Sequence, residues 1–113
     1  MHEMALAESM REIVENVARR NDARHVSVVR VELGALSCVE PHALHFCFDA
    51  AMRGSLGEGA ILEIAIAPGE AWCMPCGKTV PLARIGDACP DCGSYQLAIS
   101  RGDTMRVAEI EIH

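Results

Sequence analysis

The chain has 113 residues, half of them hydrophobic, a formal net charge of −6 and an isoelectric point near 5.3. That length and apolar content supply a core for one compact domain, alone or with a small satellite, and argue against a disordered chain. The acidic balance argues against nucleic acid as a partner, because such affinity comes mainly from neutralising phosphates. Glu3, Glu8, Arg11 and Glu12 interrupt the N-terminal region where a signal peptide needs an unbroken apolar run. No window approaches the ~20 apolar residues that span a bilayer. The expectation is a soluble, cytoplasmic protein without a membrane partner.

From Met4 to about Arg20, Leu6, Met10, Ile13, Val14 and Val17 recur at spacings of three and four, with Glu8, Arg11, Glu12, Glu15 and Arg19 on the other side. This spacing predicts an amphipathic helix, ended by Asn21-Asp22. His25–Leu33 alternates as a strand, with Val29, Val31 and Leu33 on one face and Arg30 and Glu32 on the other, and Gly34 stops it. A second helix is expected from about Glu40 to Met52. Pro41 stands in its first turn, and Leu44, Cys47, Phe48 and Ala51 form one stripe. Ile61–Pro68 reads as a strand with Leu62, Ile64 and Ile66 inward. The C-terminal MRVAEIEIH reads as a third, alternating Ala108, Ile110 and Ile112 against Glu109 and Glu111. None of the three is stable alone, so the expected fold is α+β: two helices packed on a three-stranded sheet.

The segment 71–102 differs, with four cysteines, turn residues and no convincing core pattern. It is expected to be a zinc-ribbon lobe inserted before the last strand, leaving residues 1–70 with 103–113 as the α+β domain. CMPCG and CPDCG place Cys73, Cys76, Cys89 and Cys92 in a C-x2-C-x12-C-x2-C pattern. Two intervening residues let one tight turn present both sulfurs to one ion, and Gly77 and Gly93 can take the positive φ that closes each turn. Two such knuckles complete a closed tetrahedral set, structural rather than catalytic, and zinc is the expected ion. An iron site has the same ligands and stays open on spacing alone. Disulfides suit a secreted chain, and a thioredoxin-like redox motif needs one pair, not two. Between Ala71 and Gly102, Lys78, Arg84 and Arg101 nearly balance Asp87 and Asp91, and Trp72 and Tyr95 are the large aromatics, a poor platform for nucleic acid. Cys47 is expected in the helix core, and Cys38 in a turn beside Ser37 without a chemical role.

Met1-His2-Glu3 poses a separate question. The Met1 amine and the deprotonated His2 amide close a five-membered chelate ring, and that amide with His2 Nδ1 closes a six-membered one. Three corners of a square are filled, a set suited to Ni(II) or Cu(II). The fourth corner is left to the Glu3 amide or carboxylate, to a residue folded nearby such as Glu40, or to a partner. An incomplete set is what a protein that hands metal on needs. The initiator methionine is usually trimmed only before small residues, so Met1 is expected to stay. On the tripeptide alone the plainer reading, a chance pairing at a fraying terminus, is preferred. His25, His42, His45 and His113 read as surface residues.

Taken together, MHE, a helix, VRVELGALSCVEPHALHFCFD, then CMPCG and CPDCG before a final strand strongly resemble the HypA/HybF family of hydrogenase nickel-insertion proteins, essentially end to end. The resemblance implies a nickel-binding domain of two helices on three strands with an inserted zinc lobe. It implies that His2 is the nickel ligand, joined by Met1 and Glu3, and that Cys73, Cys76, Cys89 and Cys92 hold zinc. The implied job is a metallochaperone delivering Ni(II) to the large subunit of nickel-iron hydrogenase. It would work with a nickel-handling GTPase of the maturation pathway; some members also serve urease. Some members carry histidines beside the zinc cysteines, whereas this chain has none between Trp72 and Tyr95. An enzyme is not expected: there is no Ser/His/Asp set, no phosphate-cradling loop, and no open position on a four-sulfur site. The alternative is a zinc-ribbon adaptor that docks maturation partners without carrying nickel.

Overall fold

The structure, a computed structural model, describes residues 3–113. Met1 and His2, two of the expected nickel ligands, lie outside the described residues. Two helices and six strands follow in the order α1 (Glu3–Arg20), β1 (Val26–Gly34), α2 (Pro41–Met52), β2 (Ile61–Ala67), β3 (Glu70–Cys73), β4 (Lys78–Pro81), β5 (Leu97–Arg101) and β6 (Met105–Ile112). They form two three-stranded sheets, ordered β2-β1-β6 and β4-β3-β5. The expected helices and the expected α+β sheet are present, with a second small sheet in the cysteine segment. The chain divides into two compact units. One runs from α1 to Val31, with Val39–Ala65 and Val107–His113; the other is Glu32–Cys38 with Ile66–Arg106.

In the first unit, local rules set the ends of the helices. At the end of α1, Asp22 takes a left-handed φ of 51° and Ala23 N–H reaches back to Ala18 O at 2.9 Å. Pro41 opens α2, and Glu40 caps it by accepting the Ala43 N–H at 2.6 Å. The helices pack together. Arg11 Nη1 donates to the carbonyls of Ala51 at 3.0 Å and Arg53 at 3.1 Å, satisfying the C-terminal end of α2. The core collects Met10, Val14, Val29, Leu44, Phe48 and Met52, all fully buried. Each such side chain contributes about 1.5–3 kcal/mol on burial.

Burial departs from the periodic reading at the margins. Along α1 the buried row is Ala7, Met10, Val14 and Ala18, while Ile13 is 42% exposed. Ile13 and Val17 instead line a cleft of about 250 Å³ with Val107 and Ile110. Ala108 is exposed, and Ile110 and Ile112 are half-buried. Ile66, expected inward, is 55% exposed. The reason is sheet position. β1 is central, so Val29 and Val31 are covered, whereas β2 and β6 are edges and lose cover toward their outer sides. On the exposed face, Arg30 ties the strands together, pairing with Glu63 at 2.8 Å, Glu109 at 3.0 Å and Glu111.

In the second unit, β3 pairs antiparallel with β4 (Ala71 opposite Val80, Cys73 opposite Lys78) and with β5 (Ala71 opposite Ile99, Cys73 opposite Leu97). The segment expected to lack a core has a small one. Alternation along β3 turns Ala71 and Cys73 inward and Trp72 outward. Leu36 packs against Ala71 and Leu82, with Leu97 alongside. Leu36 arrives there on the turn after β1. Its N–H donates to Gly102 O at 2.7 Å, Ala35 N–H donates to Ala67 O at 2.9 Å, and a Cβ at Gly34 would run into the Gly102 carbonyl. That close approach explains the glycine of GALSC.

Candidate metal centre

Cys73 closes β3 and Lys78 opens β4, so CMPCGK is the turn of a hairpin. Gly77 takes φ 64° and its N–H donates to Cys73 O at 2.9 Å. The second knuckle repeats this: Gly93 takes φ 76° and donates to Cys89 O at 2.9 Å, while Cys89 N–H donates to Ser94 O at 2.8 Å. Both glycines do what the CxxCG spacing required of them.

The two turns bring the four sulfurs of Cys73, Cys76, Cys89 and Cys92 within 4.8 Å of one another. Cys73 Sγ lies 3.6 Å from Cys92 Sγ, and Cys76 Sγ lies 3.9 Å from Cys89 Sγ. A tetrahedron with metal–sulfur bonds of ~2.3 Å has edges of about 3.8 Å, so these separations fit one tetrahedral ion. They are far too long for disulfides, and all four thiols are free. Cys73 and Cys89 are buried, Cys76 is half-buried and Cys92 is exposed.

The electrostatics are those of a site built for a cation. Hydrogen bonds with Cys92 and Cys73 push the Cys76 thiol up to about 12, because neighbouring sulfurs resist a second negative charge. At Cys89 burial pushes the thiol up, but N–H donation from Cys92 and Asp91 outweighs it and the thiol falls to about 7. A divalent ion held by these four sulfurs would remove their mutual repulsion and favour the thiolate form of each. Lys78 and Asp91, one beside each knuckle, pair at 2.7 Å.

Of the expected nickel set, Glu3 is described. It begins α1, and its Oε2 accepts the Glu40 N–H at 3.3 Å. This joins the start of α1 to the start of α2. The Glu40 carboxylate itself is held by Ala43 N–H, whose donation keeps it below the usual carboxylate range. Just before it, Ser37 is buried with Oγ on Gly34 O at 2.7 Å, and Cys38 is exposed at φ 60°. Cys47 is half-buried on α2. His42 and His45 are exposed. His25 and His113, far apart in sequence, stack on one another, a pairing that no spacing rule announces.

No helix among the described residues is long and apolar enough to cross a membrane. A family model described as hydrogenase/urease nickel incorporation, metallochaperone, HypA matches residues 1–112. Relatives named hydrogenase maturation factor HypA include one from Dechloromonas aromatica, 52% identical over 99% of both chains. Another, from Rhodopseudomonas palustris, is 54% identical over 99% of both. Among solved structures, the nickel metallochaperone HypA from Helicobacter pylori superimposes with a TM-score of 0.74 at 26% identity, covering 99% of this chain and 97% of that one.

Proposed function

The chain belongs to the HypA family of nickel-incorporation metallochaperones, maturation factors rather than enzymes, and on that premise we propose that it carries Ni(II) to the large subunit of nickel-iron hydrogenase. Nickel is the cargo. Its ligands are the Met1 amine, the His2 amide and imidazole, and Glu3, within an α+β domain of residues 1–70 and 103–113. Zinc is structural, held by Cys73, Cys76, Cys89 and Cys92 in a lobe of residues 71–102. The partners are the nickel-handling GTPase of the maturation pathway and the hydrogenase large subunit, in the cytoplasm.

The observation that carries this reading is the placement of Glu3. Its carboxylate spans from the start of α1 to the backbone of Glu40, so the residue following His2 is held against the fold rather than left loose. A 3.3 Å contact is long for a hydrogen bond to a carboxylate. Loading then requires the amine, amide and imidazole to shed protons, and release to the client returns them. The four-sulfur cluster supports a separate, permanent role for zinc: its ligand set leaves no position for a passing ion or a reactive water.

The test is nickel titration of two preparations, the native chain and the same chain with one glycine ahead of Met1, with zinc quantified in both. The added residue moves the amine out of the five-membered ring. Tight nickel binding is expected to disappear while zinc stays at one per chain. Equal nickel binding by both preparations places the site elsewhere. No binding by either returns the chain to the adaptor role, docking partners through the cysteine lobe.

A further inference from the structure

His25 and His113 are both exposed, yet their rings lie face to face, with centroids 5.1 Å apart and planes 18° from parallel. The backbone enforces this. His113 N–H donates to His25 O at 2.9 Å and His25 N–H donates to His113 O at 3.3 Å. Two residues that exchange both main-chain bonds in an antiparallel ladder send their side chains to the same side. The stack therefore belongs to the register of β1 against β6.

A second observation concerns Ser27. Ser27 Oγ donates to the Glu111 carbonyl at 3.4 Å. Ser27 Oγ also lies 2.8 Å from His113 Nε2, so the two share one hydrogen bond whose direction follows the ring's tautomer. In the tautomer whose Nε2–H donates to Ser27 Oγ, Nδ1 keeps a free lone pair. One ring nitrogen anchored by an acceptor and the other open is the outer-shell arrangement of a metal-ligating histidine.

We infer that His25 and His113 form a second metal-binding site, separate from the cysteine cluster and from the terminal chelate, for one divalent ion of the imidazole-preferring class: Ni(II), Cu(II) or Zn(II). His113 supplies Nδ1, His25 supplies one ring nitrogen, and water completes the set. Metal–nitrogen bonds of ~2.0–2.1 Å put two nitrogens that share an ion about 3–4 Å apart. With centroids 5.1 Å apart, the His25 ring approaches that separation by turning about its terminal torsion, which is broad for histidine, while His113 keeps its contact with Ser27. The net charge of −6 favours arrival of a cation. Ser27 is a positioning residue, acting through His113.

The experiment uses the full, zinc-loaded chain and Ni(II) alone as probe, titrated calorimetrically into the native protein, His2→Ala, and His2→Ala combined with His25→Ala, His113→Ala, Ser27→Ala or Ser27→Thr. His2→Ala is expected to retain one nickel equivalent that either histidine substitution removes. Ser27→Ala weakens it by about 10-fold or more, and Ser27→Thr, which keeps the hydroxyl, restores it. Both histidines are exposed, so circular dichroism and zinc content stay unchanged. With Cu(II) as a second probe, electron paramagnetic resonance of His2→Ala shows nitrogen couplings from two imidazoles. Absence of any nickel equivalent in His2→Ala, or its survival in His2→Ala/His113→Ala, overturns the inference. The two readings fail separately: if native and His2→Ala chains bind nickel alike, the terminal chelate is refuted, while loss of that equivalent with His113→Ala still supports the pair.

Discussion

Leu36→Ala tests how the cysteine lobe is held together. Leu36 is 3% exposed and packs on Ala71, Leu82 and Leu97, beside a second small cluster of Val80 and the cysteines. Truncation removes three carbons, about 2.4 kcal/mol at ~0.8 kcal/mol each. The cavity left behind raises the cost toward ~5 kcal/mol. A metal that binds four thiolates contributes roughly 10–16 kcal/mol of apparent free energy, so the substituted lobe still folds when zinc is present. The loss therefore emerges as weaker zinc binding, because ion and core stabilise the same folded state. At about 1.4 kcal/mol per decade, zinc affinity should fall by roughly two to four orders of magnitude. Competition with a chromophoric chelator near neutral pH measures it, and circular dichroism checks that the helices persist. Unchanged zinc affinity would refute the reasoning and mean that the metal alone organises the knuckles.

The remaining expectations bear on the same cluster. Gly93→Ala places a side chain at φ 76° where nothing lies within 4 Å of the new Cβ, so its cost is backbone strain alone. At about 1–2 kcal/mol, it should weaken zinc binding roughly tenfold in the same competition assay without loss of stoichiometry. In zinc-free protein, ultraviolet thiolate absorbance should show Cys89 ionising near 7 and Cys76 resisting to about 12. The linkage signs are opposite. The lowered Cys89 group stabilises the metal-free lobe above the ordinary thiol range, and that contribution is lost as pH falls through about 7. The raised Cys76 group stabilises it below that range and loses its contribution as pH rises toward 12. Cys89→Ser and Cys76→Ser variants assign the steps; a single shared step in the ordinary thiol range would contradict both.

What was legible in the residues is what depends on neighbours in sequence. The 3.6-residue stripe of Met10 and Val14, the alternation of Val29 and Val31, Pro41 at a helix start and glycine after each CxxC all act within a few residues. The structure carries each of them. The four-sulfur cluster was legible for the same reason, since each knuckle is a local turn. Contacts between distant segments were not. Leu36 lies outside the cysteine segment, and only the turn after β1 delivers it to Ala71 and Leu82. Ile66 and Ala108 alternate like core residues but sit on edge strands, and strand order is set by the whole sheet. The stacking of His25 on His113 and the contact of Ser27 with His113 likewise arise from the register of β1 on β6. Periodicity says which residues share a face of an element. What that face meets is decided by packing alone.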